Sequence, residues 1–257
     1  MTGEHWLRLR QICLVAAEIE KPTEQLRQVF GLEVCYIDPN VGRFGLENRL
    51  LPIGNQLLEI VAPVEAGTAA ERYLNRRGGD GGYMIITQCD SHPHRHTRVE
   101  SLGVRVAHHL VHDDYRGMQL HPRDTGGTFF EIDQQLDDDA PDGNWHPAGP
   151  DWQSGRRTGI VDAILAAEVQ SPDPLSLAER WGDIAELPIV ATDDYFAMEL
   201  ENAEVRFTPL RDERGEGLSA LHLRGVDGEA ARDRALELGL VADDGVIEIC
   251  GTRFHVS

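Results

Sequence analysis

Gly31-Leu32-Glu33-Val34 recurs as Gly103-Val104-Arg105-Val106, and Leu57-Leu58-Glu59-Ile60 recurs as Phe129-Phe130-Glu131-Ile132, each pair 72 residues apart. Gly54, moved by the same step, lands on Gly126. A repeat that keeps its phase across a helical stretch, a glycine turn and an acidic strand is one supersecondary unit copied, and a copied unit decides the fold before any single element does. The repeat also makes Glu59 and Glu131 equivalent. Each is a carboxylate within an apolar strand, where a buried charge is expensive without a partner. These two positions are the first candidates for a site.

Working outward, residues 9–17 read as a strand, Pro22 opens a helix with Leu26, Val29 and Phe30 at helical spacing, and Gly31 is its stop. Strands are predicted over 33–38, 43–51 and 56–62, separated by Pro39-Asn40 and Pro52-Ile53-Gly54 turns. The second copy repeats the βαβββ order: a strand over 82–89, a helix over 97–102, then strands over 104–111, 117–121 and 128–133. A short helix over 68–77 joins the copies, and Gly78-Gly79-Asp80-Gly81-Gly82 reads as a connector; it precedes a strand and so lacks the helix N-terminus that a phosphate cradle needs. Residues 136–150, rich in Asp, Pro and Gly, read as a linker. Beyond it, strands over 160–169, 203–208, 218–225, 246–250 and 252–256, with helices over 174–181 and 230–238, outline two more, shorter units. The expected organisation is therefore a domain over 1–135, a linker over 136–150 and a second domain over 151–257.

Composition narrows the function. The chain has 257 residues, 41% of them hydrophobic, and a formal net charge of −20. That charge argues against nucleic acid, whose phosphates need a basic footprint; the cluster Arg72, Arg76 and Arg77 reads as a solvated helix end. No apolar run reaches the about 18 residues of a membrane span, and the N-terminus has no leader pattern, so a cytoplasmic protein is expected. Cys13, Cys35, Cys89 and Cys250 are isolated and read as reduced core residues.

Four βαβββ units in two pairs resemble the vicinal oxygen chelate superfamily, which includes glyoxalase I, methylmalonyl-CoA epimerase, extradiol dioxygenases and the bleomycin and fosfomycin resistance proteins. The stretch Leu120-His121-Pro122-Arg123-Asp124-Thr125-Gly126-Gly127-Thr128-Phe129-Phe130-Glu131 is similar to the last two strands of the epimerases, and 68–83 to the segment leading into their second unit. The resemblance implies an α+β fold of four βαβββ units paired into two curved mixed sheets. In metal-dependent members, four equivalent strands each give one ligand; carried over, those places fall on Gln11, Glu59, Tyr83 or Met84, and Glu131. The family's usual first-strand histidines are absent here. The set that remains, Gln11, Glu59 and Glu131, is oxygen-rich and suits Mg²⁺, Mn²⁺ or Ca²⁺. The cofactor expectation is accordingly a divalent cation at most, with no metal held tightly in this cleft.

Two readings of the carboxylates stand side by side: tied to a structural partner, or at work in a cleft. His121, on the strand before Glu131, could form a proton-transfer pair with it, or hydrogen-bond its own turn. His92, His94 and His96 have ligand-like spacing in a wet region; His108 and His112 fall on one strand face and His109 on the other. Cys13 shares a strand face with Gln11. The functional expectation is an isomerase or lyase acting on a small oxygenated carbonyl compound or acyl thioester, with Glu59, Glu131 and His121 as catalytic residues and Gln11, Tyr83, Met84 and Phe129 in substrate binding. The alternative is a non-catalytic small-molecule binder of the same fold. A small-molecule ligand and a second copy of the chain are the expected partners.

Overall fold

The computed structural model describes residues 5–257; Met1-Thr-Gly-Glu, part of the stretch read for a leader, lies outside the described residues. The N-terminal half contains strands β1 (Leu7–Val15), β2 (Leu46–Ile53), β3 (Gln56–Pro63), β4 (Gly81–Cys89), β5 (Val106–Val111), β6 (Tyr115–Leu120) and β7 (Phe129–Gln135), with helices α1 (Glu20–Phe30), α2 (Ala69–Arg77) and α3 (His92–Ser101). The C-terminal half contains β8 (Val161–Ser171), β9 (Ile189–Ala191), β10 (Phe196–Glu199), β11 (Glu204–Pro209), β12 (Gly217–Gly225), β13 (Ile247–Ile249) and β14 (Thr252–Val256), with α4 (Pro174–Ala185) and α5 (Gly228–Glu237). Each half contributes one seven-stranded mixed sheet, ordered β2-β3-β1-β4-β7-β6-β5 and β13-β14-β12-β8-β11-β10-β9. Among the described residues, no helix is long and apolar enough to cross a membrane.

The elements start and stop where side-chain chemistry directs. Thr68 caps α2 by accepting from the Glu71 N–H, and Asp173 and Asp227 do the same for α4 and α5. Gly31 and Gly103 end the first and third helical stretches in the left-handed region, at φ +68° and +63°. The repeated turn glycines share that conformation, Gly54 at φ +60° and Gly126 at +69°. At Gly54 a side chain is also excluded sterically, since a Cβ would lie 2.0 Å from the Asp162 carbonyl oxygen.

Several boundaries differ from the sequence reading. Residues 33–38, expected as a strand, carry only an isolated bridge from Tyr36 to Leu50, and the expected turn at Pro39-Asn40 extends into a 3-10 turn over 39–44, so that the next strand begins at Leu46 and not at 43. Helix α3 begins at His92, five residues earlier than expected, because Pro93 occupies its first turn, where a missing N–H costs nothing. Strands β9 and β10 are additional; both are short, and β9 is mostly exposed, so neither shows a clear apolar alternation. Trp145, within the segment read as a linker, is buried.

By contact density the chain falls into two compact units. One takes in the chain up to Gln11, Tyr83–His146 and Ala166–Leu218; its core stacks Phe130 on Trp181 at 4.2 Å, with Phe207 edge-on at 5.6 Å. Burying an aromatic or large aliphatic side chain of this kind is worth roughly 1.5–3 kcal/mol. The other takes in Ile12–Gly82, Pro147–Leu165 and Ser219–Ser257, and Phe30 packs on Phe254 at 5.3 Å within it.

Candidate functional site

In the N-terminal sheet, the residues singled out from sequence are all placed and mostly buried. Glu59 accepts from the Asn48 amide at 2.7 Å, Asn48 lying on the neighbouring strand β2. Gln11 accepts from the Trp145 indole N–H at 2.9 Å. The segment carrying Trp145 is fastened by Arg10, which donates to the carbonyls of Pro141 and Gly143, and by Asp138, which accepts from the Ala140 and Asn144 N–H groups. Tyr83 packs edge-on against Phe129 at 5.1 Å, and Met84 is the register partner of Phe129. Cys13 is buried, its thiol directed at the Leu14 carbonyl.

Glu131 belongs to a buried acidic group that was not foreseen. Asp133, two residues along the same strand face, is fully buried; burial and the neighbouring Glu131 carboxylate, to which it hydrogen-bonds, hold its pKa well above the usual range. The Tyr115 hydroxyl donates to the other side of Asp133. Gly117 on β6 makes room: a Cβ there would come within 2.3 Å of the Asp133 carboxylate. Opposite Glu131 in the antiparallel register stands Gln119. His121 lies past the end of β6, and its Nδ1 accepts from the Arg123 N–H at 3.2 Å, within its own turn. The same turn is clasped by Arg105, whose hydrogen bonds bring Asp124 down to about 2. Burial, with Arg105 nearby, lowers the His121 pKa.

The other histidines divide in a similar way. His92, His96 and His109 form a chain of rings at 6.0 and 5.4 Å, and burial pushes His92 down to about 4. His112 stacks on His146 at 4.0 Å, and His146 pairs with Asp114 at 3.0 Å.

The C-terminal sheet holds a different donor set. Strand β12 runs parallel to β14 with His222 in register with His255, so the two imidazoles lie side by side, stacked at 4.5 Å. On β8, Glu168 is buried and is the register partner of Arg206 on β11.

In the second, third and fourth units, the first strand lies parallel beside the last, pairing Ile86 with Glu131, Glu168 with Arg206, and His222 with His255. The N-terminal sheet thus has an aliphatic side chain at Ile86, and the oxygens of Gln11 and Glu59 already receive hydrogen bonds.

The sequence reading located β12 and β14 but passed over their histidines. The available signal was Leu221-His222-Leu223 and Phe254-His255-Val256, each an imidazole alone on the opposite strand face from its apolar neighbours. Glu168 showed the same pattern as Glu59 and Glu131, between Ala167 and Val169, without a visible repeat to mark it.

The architecture is a glyoxalase-like fold, as the resemblance implied. A variant of 4-hydroxymandelate synthase from Streptomyces coelicolor shares it at TM-score 0.69 and 15% identity, over 91% of this chain and 75% of that one. A hypothetical protein from Staphylococcus aureus does so at TM-score 0.67 and 13% identity, over 98% of both chains. Methylmalonyl-CoA epimerase from Streptomyces coelicolor, as a variant in complex with 2-nitronate-propionyl-CoA, aligns with half of the chain, at TM-score 0.45 and 21% identity over 50% of this chain and 96% of its own. No protein-family model and no curated protein matches the sequence. At these identities the likeness establishes the fold.

Proposed function

We propose that this chain is an enzyme of the isomerase or lyase kind acting on a small oxygenated carbonyl compound or acyl thioester, with its centre at the acidic group of β7. The observation that supports this reading is the buried pair Glu131 and Asp133, with the Tyr115 hydroxyl donating to Asp133. A carboxyl that keeps its proton beside a second carboxylate is the acid and base set that proton transfer next to a carbonyl needs, with Glu131 as the base and Asp133 as the proton-holding partner. The second reading is a small-molecule binder of the same fold.

The test is exchange of solvent deuterium into a panel of small acyl thioesters and hydroxycarbonyl compounds, read by NMR. Exchange is expected with the unaltered protein and at least about a hundredfold slower in Glu131→Gln, with ligand binding retained. Binding without exchange in the unaltered protein would leave the binder as the correct reading.

A further inference from the structure

The chain that leaves β7 forms neither helix nor strand over 136–145, yet Gly143 and Trp145 within it are buried. Side chains reaching out of the sheet fasten it. From β1, Arg10 donates to the carbonyls of Pro141 and Gly143, and Gln11 accepts from the Trp145 indole N–H. From β4, the Gln88 amide donates to the Asp138 carbonyl at 3.5 Å. From the end of β7, Gln135 accepts from the His146 N–H at 2.9 Å and donates to the Asp137 carboxylate. Asp114, just before β6, pairs with the His146 ring, and Tyr115 meets the Trp145 ring edge-on at 5.3 Å. All of these residues belong to one compact unit.

The strap crosses the face that carries the acidic group. Residues in register on neighbouring strands share a face, and the pairs here are Gln88 with Asp133, Tyr115 with Gln135, Gly117 with Asp133 and Gln119 with Glu131. Tyr115 is thus held between Trp145 on one side and Asp133, to which its hydroxyl donates, on the other. Beneath this cover Glu131 is 2% exposed and Asp133 0%. A centre so enclosed meets a substrate only when part of its cover moves. The strands are tied to one another by continuous ladders, whereas the strap is tied at separate side-chain points, the pattern of a segment that opens at lower cost than the whole fold. It also carries Asp137, Asp138, Asp139 and Asp142, which gain hydration when it lifts; the apolar surface it must give up is chiefly Trp145.

We propose that residues 136–146 are a lid over the acidic group of β7, latched by Trp145, which opens while the sheet stays intact and so admits substrate to Glu131 and Asp133. This rests on the reading of that group as the catalytic centre.

Hydrogen–deuterium exchange read by NMR tests the opening without any ligand. Exchange of the Trp145 indole N–H and the His146 amide is expected to be insensitive to low urea concentrations, while that of Ile132 in β7 rises with urea, because a local opening exposes little surface and global unfolding exposes much. Nitration of Tyr115 by tetranitromethane, located by peptide mapping, tests whether the opening uncovers the centre. It should share the insensitivity to urea, whereas nitration of Tyr73, which is 2% exposed and lies away from the strap on α2, should not. Asp138→Ala removes the acceptor of the Ala140 and Asn144 N–H groups within the strap and leaves the sheet untouched. It should speed Trp145 exchange and Tyr115 nitration together, by at least about tenfold for two lost hydrogen bonds. A urea dependence at Trp145 and His146 equal to that of Ile132 overturns the lid, since the strap then leaves only when the fold does. Rapid Trp145 exchange with Tyr115 no more reactive than Tyr73 also overturns it, because the strap then moves without uncovering the acidic group. If instead both readings hold and no acyl thioester or hydroxycarbonyl compound exchanges deuterium, the lid stands and the catalytic reading falls.

Discussion

Asp133 is a carboxyl held wholly out of water. Its pKa is raised by burial and by Glu131, so the folded protein keeps a proton that an unfolded chain releases near pH 4. The stability linked to that proton is complete below about pH 4 and is lost as pH rises toward the folded pKa. Asp133→Asn cannot ionise, yet it can still accept from Tyr115 and donate to Glu131. Its stability relative to the unaltered protein should therefore climb between about pH 4 and pH 7, by about 1.4 kcal/mol for each unit by which the folded pKa exceeds the unfolded one. Denaturant midpoints across that range measure it; a difference independent of pH would mean that Asp133 is ionised in the fold. At this scale the sequence was partly legible. Glu131 stood out because the repeat duplicated it, whereas Asp133 did not, because its partners Tyr115 and Gly117 come from another strand.

At the scale of elements, the informative case is the segment between the halves. Its Asp, Pro and Gly content reads as unstructured, and by composition that reading is sound. What composition cannot register is one large side chain with somewhere to go. Trp145 is 1% exposed, bonded to Gln11 and packed edge-on against Tyr115 at 5.3 Å. Truncating a buried tryptophan costs about 3–5 kcal/mol through lost transfer energy and the cavity left behind. Trp145→Ala should therefore lower the denaturation midpoint by that order, and Trp145→Phe by less. A loss under about 1 kcal/mol for Trp145→Ala would show that the segment merely rests on the surface. The helices and longer strands were legible for the opposite reason: caps such as Thr68 with Glu71 and stops such as Gly31 are local, so a window of a few residues contains the whole cause.

For the whole molecule, the charge of −20 sets the response to salt. Self-repulsion among carboxylates opposes compactness and is screened over about 10 Å at 0.1 M ionic strength. Thermal stability should rise as sodium chloride increases from low concentration to about 0.15 M. A fall over that range would mean that the surface ion pairs, such as Arg105 with Asp124, outweigh the general repulsion. The fold itself was legible in the repeat. The short strands β9 and β10 were not, because the repeat is clear only in the N-terminal half and its phase drifts where they lie.

The pairing of first strand with last has a consequence for how such a chain can change. Any two residues in register on those strands are neighbours by construction, so one substitution on either strand is enough to create or abolish half of a donor pair. Ile86 beside Glu131 is one substitution short of a histidine beside a carboxylate; His222 beside His255 is one substitution away from losing its partnership. A duplicated scaffold of this kind lets one copy drift into a purely architectural role while the other keeps the reactive groups, and lets those roles be exchanged without rebuilding either sheet.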